Sequence, residues 1–311
     1  MPSKSVRAFS PAGISSFFQI CDKAPDGTPL TDPERIGARG GGFALAKGVL
    51  TEVSATKSEK NRFKVFINGK PAPEAETTKA VVDMLLGNVQ ENYNVTVKHH
   101  VEVPIGAGFG SSAAGALGTA LALSKKLNIS LTYNQLGRIA HVAEVKCRTG
   151  LGTVEGLMVG GCVLVIEPGA PRYALIDRIP ISQDYQIVAG VFAPRLTKNF
   201  LESREKEAII NEMGQKTMKK ILSNPSLENF LRSCREFAEK TGLVTERVRK
   251  LMDAAEEAGA VGAAQNMLGE AVHALVNADK MEAVLQVFKR QLPQERILTA
   301  KIDLQGARLL G

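Results

Sequence analysis

Between Pro104 and Gly118 the chain reads PIGAGFGSSAAGALG, with glycines at the alternate positions 106, 108 and 110, then the hydroxyl pair Ser111–Ser112. Glycine adopts φ > 0 without steric cost and lets the backbone approach a ligand closely. The preceding NVTVKHHVEV places Val95, Val97, Val101 and Val103 on one face of a strand that Pro104 ends. After the glycines, Ala113, Leu117 and Leu121 begin an apolar helical stripe, and the lysines of KKLN suit its C-terminus. A strand–loop–helix junction of this kind turns unpaired helix amides toward its ligand and forms a cradle for an anion, most naturally phosphate. A tight turn between packed elements would use the same three glycines.

The spacing narrows the chemistry. A Walker A loop needs a lysine after its last glycine, and the Rossmann fingerprint needs G-x-G-x-x-G with an acidic residue about 20 positions on. Neither pattern is present here. The Ser111 and Ser112 hydroxyls can cap the helix, bind phosphate or hold Mg²⁺.

Short stretches with period-two alternation (VRAFS, GVLTEVSA, RFKVFING, NVTVKHHVEV) make the first third β-rich, with APDGTPLTDPER as a loop. Beyond Thr197 the pattern is almost wholly helical to about Arg290, and RILTAKIDLQGARLL reads as one terminal strand. The composition shift predicts an N-terminal lobe over residues 1–175, carrying the glycine-rich loop, and a mainly helical α+β lobe over 176–311. A net charge of +7 suits an anionic ligand, but with four tyrosines, no tryptophan and no dense basic run, nucleic acid is not the expected partner. The opening MPSKSVRAFSPAGISSFF lacks an apolar leader and no window is long and apolar enough to span a bilayer, so no membrane is expected and the cytoplasm is the expected location. The cysteines (Cys21, Cys147, Cys162, Cys234) lie far apart in sequence and read as reduced thiols.

PIGAGFGSSAA resembles the central P-x-x-x-G-[LF]-G-S-S-[AG]-[AG] motif of the GHMP kinases. Within that superfamily the chain is most similar to the archaeal pantoate kinases, through AFSPAGISSFF, DPERIGARGGGFALAKGV, AHVAEVKCRTGLG, GGCVLVIEPGAP, LTK, AAQNMLGEAVHAL and IDLQGARLL. The resemblance implies an α+β, two-lobed fold whose β-rich N-terminal lobe is of the ribosomal protein S5 domain 2-like type. It implies ATP and Mg²⁺ as cofactors, a small anionic hydroxy acid as substrate, phosphorylation of pantoate on the route to coenzyme A, and a homodimer.

Carried over by position, the ATP loop comprises Pro104, Gly106, Gly108, Phe109, Gly110, Ser111, Ser112 and Ala113. Ser112 and Glu144 hold the metal, and Arg39, His141 and Thr197 face the substrate. Two positions depart from the family. TGLGTV has Thr153 at a catalytic position where pantoate kinases usually carry a base-capable aspartate, and Val165 stands where they carry an arginine. Threonine cannot act as a general base, and valine cannot clamp a carboxylate. Three readings follow: a pantoate kinase that tolerates both changes, a GHMP kinase for another hydroxy acid such as mevalonate 3-phosphate, or a nucleotide-binding pseudo-kinase. Glu155, two residues on, is a further carboxylate, although that offset turns it away along a helix.

Overall fold

The computed structural model describes residues 5–193 and 204–311. Two long strands set the frame, β1 (Val6–Cys21) and β2 (Gly37–Lys57), antiparallel from Val6↔Val53 to Cys21↔Gly37 with register shifts at Pro11/Ala12 and Ser15/Phe17. The GARGGG run therefore lies within a strand. Its glycines let β1 and β2 approach closely, since a Cβ at Gly42 would lie 1.7 Å from the Ile14 carbonyl oxygen.

Next come β3 (Arg62–Ile67), β4 (Lys70–Pro71), α1 (Glu76–Leu86) and β5 (Tyr93–Val101), with β5 antiparallel to β2 and parallel to β3. The helices α2 (Ser111–Leu127), α3 (Tyr133–Cys147) and α4 (Thr153–Val159) follow. β6 (Cys162–Glu167) then pairs with the glycine run of β2, and β7 (Leu175–Ile179) pairs with β6. The alanine-rich α2 is buried along Ala113–Ser124, so it packs on several sides rather than along one stripe. A capping box starts α3: Thr132 accepts from the Gln135 amide while the Gln135 side chain accepts from the Thr132 amide.

The remainder comprises β8 (Tyr185–Ala193), α5 (Arg204–Ser223), α6 (Leu227–Lys240), α7 (Glu246–Glu257), β9 (Gly262–Gln265), β10 (Glu270–Asn277), α8 (Met281–Gln291), β11 (Ile297–Lys301) and β12 (Arg308–Leu310). The second sheet runs β11-β8-β10-β9, while β12 returns to pair with β1 at the edge of the first. Edge-to-face contacts of Phe230 with Phe17 (6.2 Å) and Phe43 (5.4 Å) pack α6 against β1 and β2.

Two sequence expectations are corrected. The stretch read as wholly helical contains β9 and β10, and β10 is buried on both faces along Glu270–Val276, so it shows no two-residue alternation. The terminal segment is two strands in different sheets, separated where the Asp303 carboxylate accepts from the Gln305 and Gly306 amides. Among the described residues, no helix is long and apolar enough to cross a membrane.

Candidate active site

A cleft of about 670 Å³ opens between the glycine-rich junction, the glycine strand of β2, the α3–α4 turn and the β9–β10 turn. Gly106 (φ 75°), Gly108 (φ 78°) and Gly110 (φ 59°) are all left-handed, while the intervening Ala107 and Phe109 are buried and pin the loop to the core. Gly110 is the N-cap of α2 and supplies no side-chain cap. The serine pair therefore does not cap the helix, and Ser111 and Ser112 both line the cleft. Met267 of the β9–β10 turn also lines it, anchored by its amide donating to the Ser15 carbonyl at 2.8 Å.

Ser112 Oγ donates to Glu144 Oε1 at 2.5 Å, and Thr149 Oγ1 donates to the same oxygen at 2.6 Å. Thr77 Oγ1 lies 3.2 Å from Ser112 Oγ and 2.9 Å from Thr149 Oγ1. Glu144 is buried, and its carboxylate has hydroxyl partners rather than a cation. Burial raises its carboxyl above the usual range, and the Ser112 and Thr149 hydroxyls pull it partway back. Gly150 completes the pocket, because a Cβ there would lie 2.2 Å from Glu144 Oε2. One carboxylate ringed by hydroxyls is a hard-oxygen donor set. Among the described residues no three His, Cys, Asp or Glu side chains gather into a metal cage, so an ion here would share its shell with a ligand and water.

Arg39 and Thr153 also line the cleft, as does Val165. Arg39 Nε donates to the Ile166 carbonyl at 3.0 Å and its guanidinium to Glu167 at 2.8 Å, which fixes its position beside Val165 on the neighbouring strand. Thr153 packs close to the loop, since a Cβ at Gly110 would lie 2.7 Å from its methyl.

Pro104 and Ala113 flank the loop without lining the cleft, and Ala113 is buried in α2. His141 does not line it either. Its Nδ1 is 2.7 Å from Glu155 Oε1 and its Nε2 is 2.9 Å from the Ile36 carbonyl. Both neighbouring groups are acceptors, which favours the doubly protonated ring. Burial works against that charge, but Glu155 and the backbone carbonyls outweigh it and raise the imidazole pKa. Glu155 is thereby committed to the core and lies away from the cleft. Thr197 lies outside the described residues. The sequence pattern does not mark Thr77 and Thr149 as partners of Ser112 and Glu144. The available signal was the RTG that directly follows the helix bearing Glu144.

Comparison with known proteins places the chain in a family. Residues 76–160, which span α1, the glycine loop and α2 to α4, match the GHMP kinases N terminal domain. The fold and cleft thus define an ATP-dependent phosphotransferase with an alcohol acceptor. The chain is 30% identical over 285 residues to a pantoate kinase of Methanocaldococcus jannaschii, covering 91% of this chain and 97% of that one. It is 33% identical to a pantoate kinase of Thermococcus kodakarensis, covering 91% of each. A solved phosphotransferase related to the CoA biosynthesis pathway superposes with a TM-score of 0.88 at 30% identity over 99% of both chains. Homoserine kinase from Cytophaga hutchinsonii shares the fold, with a TM-score of 0.73 at 17% identity over 98% of this chain and 97% of that one. The chain belongs to the pantoate kinase family of GHMP kinases.

Proposed function

We propose that the protein transfers the γ-phosphoryl group of ATP to the hydroxyl of pantoate, giving 4-phosphopantoate, ADP and a proton. The observation that carries this reading is the similarity to pantoate kinases along nine-tenths of the chain. It is supported by a cleft that holds the glycine loop and a fixed arginine together.

The roles follow from position. The left-handed glycines and the uncapped start of α2 bind the triphosphate through backbone amides. Ser112 and Glu144 would hold Mg²⁺, which when bound neutralises phosphate charge. Thr149 orients Glu144 by its 2.6 Å hydrogen bond, and Thr77 orients Thr149. Arg39, standing beside Val165, supplies the cation for the acceptor carboxylate that the valine cannot provide. Phosphoryl transfer needs in-line positioning and charge stabilisation more than proton abstraction, so Thr153 serves as a wall that packs the acceptor side against the loop.

The test is incubation of the purified protein with Mg·ATP and pantoate, followed by identification of the product by mass and ³¹P NMR. A phosphomonoester on the terminal hydroxyl is expected. Pantoate left unmodified by a protein that binds ATP would overturn the reading.

A further inference from the structure

Of the described residues lining the cleft, only Arg39, Glu144 and Arg148 carry charge. Arg39 is already paired with Glu167. Arg148 is exposed, and its side chain has no hydrogen bond or ion pair among the described residues.

The backbone at Arg148 is also unusual. It ends α3 in the left-handed region, at φ 55° and ψ 39°. Three non-glycine described residues adopt positive φ, and the other two are asparagines, the type that tolerates it best. The turn itself has a clear purpose: it brings the Thr149 amide onto the Glu144 carbonyl at 3.0 Å and Thr149 Oγ1 onto the Glu144 carboxylate. Glycine would make that turn without strain and is the usual residue there. The turn therefore explains the conformation but not the arginine.

We propose that Arg148 contacts the γ-phosphoryl group of ATP and stabilises the charge that spreads over it during transfer. The ligand in this cleft is a polyanion, and the glycine loop contributes only neutral amides and hydroxyls. Arg148 follows directly on the helix that carries Glu144 and precedes Thr149, whose hydroxyl shares a Glu144 oxygen with Ser112. Arg39 lies on β2 beside Val165. The two cations thus divide the cleft, with Arg148 toward the transferring phosphate and Arg39 toward the acceptor. A guanidinium fork matches phosphate oxygens two at a time, and in phosphoryl transfer such a cation acts most strongly on the transition state. This inference rests on the ATP-binding reading of the cleft and not on which acceptor is used.

The test compares wild type with Arg148→Gly, which keeps the turn and removes the charge. Titration calorimetry without acceptor would measure binding of a non-hydrolysable ATP analogue and of ADP, both with Mg²⁺. The analogue is expected to bind about tenfold more weakly to the variant, with ADP affinity within about twofold of wild type and a melting temperature no lower. Arg148→Lys should recover part of the loss, and Arg148→Gln gives the same readout if the glycine variant does not fold. Unchanged analogue affinity would overturn the proposal, as would an equal loss for analogue and ADP. A rise confined to the acceptor KM would also overturn it, since that would put Arg148 on the acceptor. Failure of wild type to use pantoate would instead overturn the acceptor reading and leave these nucleotide titrations decisive.

Discussion

Ser112 at the start of α2 and Glu144 near the end of α3 meet at 2.5 Å, so two packed helices deliver a hydroxyl and a carboxylate to one point. If that point holds the metal, Ser112→Ala and Glu144→Gln should each lower kcat by about 100-fold or more. Glu144→Gln removes a buried charge without changing shape, so its melting temperature should equal or exceed that of wild type. Steady-state kinetics beside thermal melts check this. Near wild-type kcat in either variant would move the metal elsewhere.

Arg39 is expected to act on the acceptor. Arg39→Ala should raise the acceptor KM by roughly 10- to 100-fold and leave the KM for ATP within about threefold. Its partner Glu167 is exposed, so loss of the pair itself should cost little stability. A change confined to the ATP KM would refute the assignment.

Thr153 is expected to have no proton-accepting role. Thr153→Ala should lower kcat by no more than about fivefold, whereas loss of a general base would cost about 10² to 10⁴. The pH–rate profile of the variant should keep the wild-type shape. Loss of an acidic limb on substitution would show that the position does take part in proton transfer.

His99 is buried between the Thr51 and Thr78 hydroxyls, at 2.9 and 3.0 Å, and burial pushes its pKa down to about 4 from an ordinary 6.5. On acidification the unfolded chain takes up this proton first, so the contribution of the neutral ring is present above pH 6.5 and declines toward pH 4. The stability difference between wild type and His99→Gln should therefore shrink by about 1.5 kcal/mol between pH 6.5 and 5, read by urea unfolding. A constant difference would mean that the ring protonates freely in the folded state. His141 has the opposite sign: its raised pKa makes its contribution complete below 6.5 and lost at higher pH.

How much of this is legible in the sequence depends on whether the signal is local. The junction of β5 and α2 is written within one segment, with valines alternating before Pro104, glycines alternating after it and an alanine-rich helix beyond. The hydroxyl ring is not local, because Thr77 and Thr149 lie 72 residues apart and meet only through the packing of α1 against α3. The surroundings of His141 are not local either, since Glu155 of α4 and the Ile36 carbonyl just before β2 hold the ring in the core. The strands β9 and β10 escape notice for a different reason, since burial on both faces removes the alternation that marks a strand.

The acceptor specificity is read from the acceptor dependence of ADP release from Mg·ATP, measured as kcat/KM for pantoate, mevalonate, mevalonate 3-phosphate and homoserine, with a control lacking acceptor. Pantoate is expected to exceed every other acceptor by about 100-fold or more, as a site built to pair a substrate's polar groups should. Preferential turnover of another acceptor would contradict it and make Thr153 and Val165 the marks of a changed substrate. ATP binding without turnover of any acceptor would contradict catalysis itself.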